Sequence, residues 1–252
     1  MKLLDKIALI TGAGRGIGKE MAQKFSDEGA KVVLNDIEIS PAEVVCEKLK
    51  KMGRTALAIQ ANVADGEAVL RMVEQIDKEF GRLDILINNA GVRKDAAFPE
   101  MAESDWDSVM SVQLKGTFHC CRAVVPSMMK QRAGKIVNIS SPVPAALGKR
   151  GQVNYSSACS GMEGFTRALA LELGPYNINV NGLAPDYIYT EMTRNAALRD
   201  GLYYADLQRF IVAEIPLKRL GTPADVANVA LFLVSEESSF ISGQILYVRG
   251  GP

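Results

Sequence analysis

Short apolar, β-rich runs alternate along this chain with stretches of helical character. The runs Ile7–Thr11, Lys31–Asp36, Thr55–Gln60, Ile85–Asn88, Lys135–Ser140, Ile178–Leu183 and Ile245–Val248 read as strands, and helices fill the gaps between them. Alternation of this kind predicts an α/β fold with a doubly wound parallel sheet. Two helix starts are signposted. Ser40-Pro41-Ala42-Glu43 and Thr222-Pro223-Ala224-Asp225 each combine a capping hydroxyl, a proline in the first turn and an acid three residues after the hydroxyl. The one long irregular stretch, Tyr187 to Gly221, leaves the carboxyl edge of a late strand and is expected to form a substrate lid. Its Tyr187, Tyr203, Tyr204 and Phe210 suit an aromatic or acyl ligand without specifying one.

A chain of 252 residues at 48% hydrophobic content has material for one compact domain, spanning 1–252, and none for a second. Lys+Arg and Asp+Glu both total 29, so no charge excess argues for nucleic acid or an anionic membrane as partner. A small-molecule ligand is the expectation. The cysteines Cys46, Cys120, Cys121 and Cys159 make no metal-type spacing, and a single histidine, His119, leaves little for a metal centre or a histidine-based triad. They read as reduced thiols. The N-terminus is too short and too charged for a signal peptide, and no apolar run approaches membrane-spanning length, so a cytoplasmic protein is expected.

The strongest local signal is Thr11-Gly12-Ala13-Gly14-Arg15-Gly16-Ile17-Gly18, which follows an apolar strand and opens a helix. Glycines there let the backbone approach a pyrophosphate, toward which the helix directs its free N–H groups and positive dipole end. Asp36, at the end of the second strand, stands where an acid accepts hydrogen bonds from an adenosine ribose. An acid at that point repels a 2′-phosphate, which favours NAD over NADP, and Arg15 offsets part of the repulsion.

With these motifs the chain resembles the short-chain dehydrogenase/reductase family over essentially its whole length, in particular its 3-oxoacyl-carrier-protein reductase and hydroxyacyl-CoA dehydrogenase branches. The resemblance implies a Rossmann-like sheet of seven strands and tetramers built through two long helices, here Asp105–Lys130 and Asn154–Leu173. It assigns the cofactor turn to Gly12, Arg15, Gly16, Ile17 and Gly18, and the adenine contact to Asn62 and Val63. Asn88-Asn89-Ala90-Gly91 matches the mid-sheet turn, and Ile188 and Thr190 the nicotinamide contacts. The family's catalytic set is an Asn, a Ser, a Tyr and a Lys. Ser141 and Tyr155 match it, whereas Gln113 stands at the asparagine and Cys159 at the lysine. The loop Ser141-Pro142-Val143-Pro144-Ala145 carries one extra residue before Tyr155, and the expected Pro-Gly after the sixth strand is Pro185-Asp186.

The loss of the lysine has a size. A phenol titrates near pH ~10, and a cation about 4 Å away at an effective dielectric of about 20 supplies roughly 4 kcal/mol, or roughly three pK units. A neutral thiol supplies none of this, and an ionised one pushes the phenol the wrong way. Positioned acid–base catalysis contributes about 10²–10⁴-fold, and a displacement of about 1 Å, as from the longer Gln113, costs about 10²-fold. Cys159 reads as the filler of a small buried space rather than a nucleophile, His119 as a packed residue, and Asp186 either as a solvated acid or as a side chain narrowing the nicotinamide pocket. Lys149 and Arg150 read as solvent-facing, with Lys149 the candidate to replace the lost cation.

The favoured reading is a weakened subunit of a hetero-oligomeric NAD-dependent hydroxyacyl-CoA or alcohol dehydrogenase, paired with an intact homologous subunit. Subunit pairs acting on 2-[hydroxy(phenyl)methyl]succinyl-CoA are an arrangement this chain resembles. Two other readings stand beside it: an active NAD(P)-dependent enzyme using Tyr155 and Ser141, and a binding module that senses nicotinamide dinucleotide.

Overall fold

The computed structural model describes residues 1–142, 145–146, 148–191 and 204–251, apart from the side chains of 204–207. Seven parallel strands form one sheet in the order β3-β2-β1-β4-β5-β6-β7. They are β1 (Ile7–Thr11), β2 (Lys31–Asp36), β3 (Ala56–Gln60), β4 (Ile85–Asn88), β5 (Gly134–Ile139), β6 (Ile178–Pro185) and β7 (Ile245–Val248). Every expected strand is present, with β3 and β5 moved by a residue and β6 running on to Pro185. The order of strands reverses direction at β1, whose neighbours are β2 and β4, and a crevice opens at the carboxyl ends of the strands there.

Successive residues of β1 face opposite sides of the sheet, and each side is covered. Ala8 and Ile10 join Met21, Ala22 and Phe25 of α1 (Gly16–Asp27), together with buried residues of α2 (Ile39–Lys51). Ile7 and Leu9 face Val69, Met72 and Ile76 of α3 (Gly66–Phe80). Removing the larger of these side chains, Ile, Leu, Val, Met and Phe, from water stabilises the fold by about 1.5–3 kcal/mol each.

The expected helix Asp105–Lys130 is three pieces. These are α4 (Glu103–Val109), a π-helical turn over Met110–Lys115, and α5 (Gly116–Gln131). Close packing at the junction accompanies the change of pitch. A methyl group on Gly116 would lie 2.8 Å from the Val63 side chain, and Thr117 donates its hydroxyl to the Gln113 carbonyl at 2.7 Å. The extra residue in the turn re-aims Gln113. The second long helix, α6 (Val153–Leu173), is continuous.

Helix starts divide. At α8 (Pro223–Val234) Thr222 and Asp225 form the expected reciprocal capping box. At α2, Ser40 is not the cap: the helix begins at Ile39, capped from Glu38 with no side-chain bond. The Glu38 amide is held by the Asp36 carboxylate at 3.3 Å, which fixes the chain before Ser40 and leaves Pro41 inside the first turn, where its missing N–H costs nothing. The stretch expected to be irregular holds α7 (Tyr204–Glu214) and an Ile188–Gly221 bridge, while 192–203 lie outside the described residues.

A buried polar chain ties α6 to the sheet. Asn88 of β4 donates to Asn138 of β5 at 2.8 Å, Asn138 donates to the Thr166 hydroxyl of α6 at 2.9 Å, and Thr166 donates to the Met162 carbonyl at 2.8 Å. Replacing Asn138 with Ala leaves the Asn88 amide without this acceptor in a site closed to water. The expected loss is about 1–3 kcal/mol, read as a lower denaturant midpoint at unchanged slope, and an unshifted midpoint would remove the chain from the account of stability.

Candidate functional site

The crevice is a cleft of about 480 Å³ that runs from Asp36 past the β1–α1 turn to Tyr155 and Asp186. The turn is fastened to the neighbouring strand. The Thr11 hydroxyl accepts from the backbone amides of Asn89 and Ala90, each at 3.0 Å, and the Asn89 side chain donates to the carbonyls of Thr11 (2.8 Å) and Gly12 (3.1 Å). Gly12 turns with φ of 62°, and a methyl group there would lie 3.0 Å from the Ala90 backbone. Gly18 does not line the cleft. A methyl group on it would fall 2.4 Å from the Gly12 carbonyl oxygen, so its part is to let α1 pack under the turn. α1 has no side-chain cap and no acid in its first turn, which leaves its amino end free for an anion.

Gly12, Arg15, Gly16, Ile17, Asp36, Asn62, Val63, Asn89, Ala90, Gly91, Ile188 and Thr190 all line this one cleft. Asp36 is buried, and its carboxylate accepts from the Gly14 amide at 2.9 Å. Arg15 forms an ion pair with Glu38, which also lines the cleft. The cation expected to soften repulsion beside Asp36 is thus already paired, and two acids face one base at this end.

At the opposite end Ser141, Tyr155 and Gln113 line the cleft, and Cys159 lies fully buried behind them. Burial pushes the Cys159 thiol up to about 12, against the pull of the Ser140 hydroxyl and the Tyr155 phenol, which both reach it. The space is filled and the filler is neutral. Burial, and then the adjoining Cys159, push the Tyr155 phenol well above its ordinary value; Arg93 pulls it down without prevailing. Gln113 reaches the Val92 carbonyl at 3.3 Å, so its amide sits against the mid-sheet turn.

Lys149, the candidate to replace the lost cation, is not among the groups that act on the Tyr155 phenol. It lines the cleft from an exposed position and bears on Asp186. Among the described residues the cation recorded over Tyr155 is Arg93, whose guanidinium carbon stands 5.9 Å from the ring centroid and which pairs with Asp95. Sequence reasoning passed over it. The available signal was its position two residues past Gly91, where the mid-sheet turn delivers a side chain to the carboxyl end of β4. Asp186 is not a solvated acid: its carboxylate is mostly buried and pairs with Arg249 at 3.8 Å. Burial raises it, and Arg249 opposes the rise. His119 is packed as expected, its Nδ1 bonded to the Val63 carbonyl at 3.0 Å. Tyr187 lines the cleft with φ of 46°, Phe210 is exposed, and Tyr203 and the Tyr204 side chain lie outside the described residues.

Among the described residues no cluster of His, Cys, Asp or Glu is arranged to hold a metal, and no helix is long and apolar enough to cross a membrane. A seven-stranded parallel sheet, a glycine turn at its reversal point and a Ser–Tyr pair across the same cleft define the architecture of a dinucleotide-linked oxidoreductase. The family profile described as Enoyl-(Acyl carrier protein) reductase matches residues 12–252, and the chain belongs to the short-chain dehydrogenase/reductase family. It is 42% identical to the 3-oxoacyl-[acyl-carrier-protein] reductase FabG of Staphylococcus epidermidis, over 98% of this chain and 99% of that one. It is 42% identical, over 100% of its length and 98% of the relative's, to the (2S)-[(R)-hydroxy(phenyl)methyl]succinyl-CoA dehydrogenase subunit BbsD of Thauera aromatica. The FabG of Thermotoga maritima is 40% identical over 100% of this chain and 99% of its own.

All four cysteines are free and buried, and Cys121, like Cys159, is pushed by burial up to about 12 from an ordinary 9.0. Native protein at pH ~8 should therefore leave its thiols unreacted with a thiol reagent, while denatured protein reacts fully. Raised values mean that the folded state keeps protons the unfolded chain gives up. This contribution is complete below pH ~9 and is lost as pH climbs toward ~12. Denaturant midpoints that hold level from pH ~8.5 to ~10.5 would contradict it.

Proposed function

We propose that this chain is a weakened subunit of an NAD-dependent hydroxyacyl-CoA or alcohol dehydrogenase, acting in the cytoplasm in an oligomer with an intact homologous subunit. One observation carries the reading: a buried, neutral Cys159 lies against Tyr155 where the family's lysine would stand. Ser141 on the cleft wall would hold the substrate oxygen, and Tyr155 would pass a proton to or from it. With its acidity lowered by burial and, among the described residues, no cation recorded at its hydroxyl, Tyr155 would give or take that proton slowly. The relative from Thauera aromatica is named as one subunit of a dehydrogenase, which agrees with a paired role.

The residues fit a dinucleotide, because the turn at Gly12 and the uncapped end of α1 form a cradle that side chains would fill. Pyrophosphate would lie on that cradle, the adenine against Asn62 and Val63, its ribose at Asp36, and the nicotinamide by Asn89, Ala90, Gly91, Ile188 and Thr190. NAD, when bound, exchanges the hydride. Asp36 and Glu38, with Arg15 already paired, oppose a 2′-phosphate, which supports NAD over NADP.

The position of Arg93 over Tyr155 favours a second reading, in which the chain turns over substrate by itself. Two measurements separate these readings, and one more tests the cofactor preference they share. The purified chain should bind NAD⁺ more tightly than NADP⁺, with Asp36→Asn narrowing the gap. Turnover of a 3-hydroxyacyl-CoA should be at least about 10²-fold below that of the Cys159→Lys/Gln113→Asn double variant, provided NAD⁺ titration shows that the variant folds. Brisk turnover by the unmodified chain, abolished in Tyr155→Phe, would replace the weakened-subunit reading with the second one.

A further inference from the structure

Arg93 is held more firmly than a surface arginine and has more donors than its partner uses. Its side chain is one-sixth exposed (16%) and lines the cleft, with the guanidinium carbon over the Tyr155 ring at 5.9 Å from the centroid. Asp95 takes it side-on, with Nε donating to Oδ1 at 3.4 Å and Nη2 donating to Oδ2. Asp95 is steadied in turn by the Gln152 side chain, which donates to Oδ2 at 2.9 Å. A guanidinium carries five N–H groups in a flat fork, and the side-on pair engages two of them. Both Nη1 hydrogens and the second Nη2 hydrogen remain, and among the described residues no other hydrogen bond or ion pair reaches them. One hydrogen on each Nη forms the end-on edge of the fork, whose geometry matches the two oxygens of a carboxylate, while the third points back toward Cδ.

We infer that Arg93 is a specificity-determining residue whose end-on edge binds a free carboxylate of the substrate beside the carbon that faces Tyr155. The inference rests on the dehydrogenase reading above and narrows its substrate class to hydroxyacyl or oxoacyl thioesters that carry a second, free carboxyl group. The fork is ready before the ligand arrives: Asp95 and the Tyr155 ring have already fixed the side chain, so little rotamer freedom is lost on binding. Asp95 also limits nonspecific attraction, because the pair is neutral until a second acceptor with matching geometry docks. A lysine at this place would present a point charge and lose the match.

Titration calorimetry on the NAD⁺-loaded full chain tests this with 3-hydroxyglutaryl-CoA and 3-hydroxybutyryl-CoA, which share the hydroxyl and the CoA and differ by the terminal carboxylate. The expected result is a preference of about tenfold or more for 3-hydroxyglutaryl-CoA. Arg93→Gln erases that preference, as does Arg93→Gln/Asp95→Asn, which leaves no unpaired acid behind. Equal affinity in the unmodified chain, a preference that survives both variants, or failure to bind either thioester overturns the assignment. Equal weakening of both thioesters in the variants also overturns it, since Arg93 would then be holding CoA phosphates. Turnover of 3-hydroxybutyryl-CoA, which has no carboxylate for Arg93, judges the weakened-subunit reading separately.

Discussion

The Thr11 hydroxyl, with two backbone amides of the β4 turn at 3.0 Å, is the stitch that makes the cleft possible. A parallel sheet that reverses its order at β1 must part its loops between β1 and β4, and parted loops expose backbone donors and acceptors. Here Thr11 takes two of the donors and the Asn89 side chain returns to the carbonyls of Thr11 and Gly12. The glycine turn is thereby fixed without a ligand. Everything downstream uses that rigidity: Gly18 packs beneath the turn, α1 aims its amino end over it, and the cleft keeps one shape from Asp36 to Tyr155.

The two ends of the cleft are settled on different electrostatic terms. At the Asp36 end the acid accepts a hydrogen bond from the Gly14 amide, and Arg15 and Glu38 pair beside it. At the Tyr155 end the groups are buried and neutral, and burial raises both the phenol and the thiol. Raising the phenol makes it a weaker acid than a free tyrosine, and the raised thiol beside it adds no charge at neutral pH. The residues of the glycine turn and Asp36 share one cleft with a phenol and a thiol that burial has made weaker acids.

Much of this was legible in the chain itself. Continuous β-rich runs mark all seven strands because nothing else in the sequence competes for those positions, and Thr222 with Asp225 marks a helix start because both halves of its capping box are local. Ser40 misleads for the same physical reason in reverse: the chain ahead of α2 is fixed by Asp36, which holds the Glu38 amide from outside the pattern and leaves the helix without a side-chain cap. The break at Met110–Lys115 has no local signal, since it arises where Gly116 presses on Val63 across the fold. Gln113, Cys159, Ser141 and Tyr155 could be placed by the resemblance to the family's catalytic set, but Arg93 and the Asp186–Arg249 pair could not, because each depends on which loops the sheet brings together.

Arg93 and the missing lysine are not interchangeable, and the difference lies in geometry rather than charge. A lone cation about 6 Å away at an effective dielectric of about 20 would supply roughly 3 kcal/mol, not far below the lysine's contribution. Arg93 is not alone. Asp95 grips its near edge, and a pair of opposite charges offers the phenol a dipole whose effect falls off faster with distance than that of a single charge. The guanidinium also lies over the face of the ring, whereas the family's ammonium would act at the hydroxyl. The phenol accordingly remains above its ordinary value with Arg93 in place. A cation so placed does little for proton transfer, yet its outer edge stays available to an anion in the cleft. The same few ångströms that disqualify it as a replacement for lysine qualify it as a reader of the substrate.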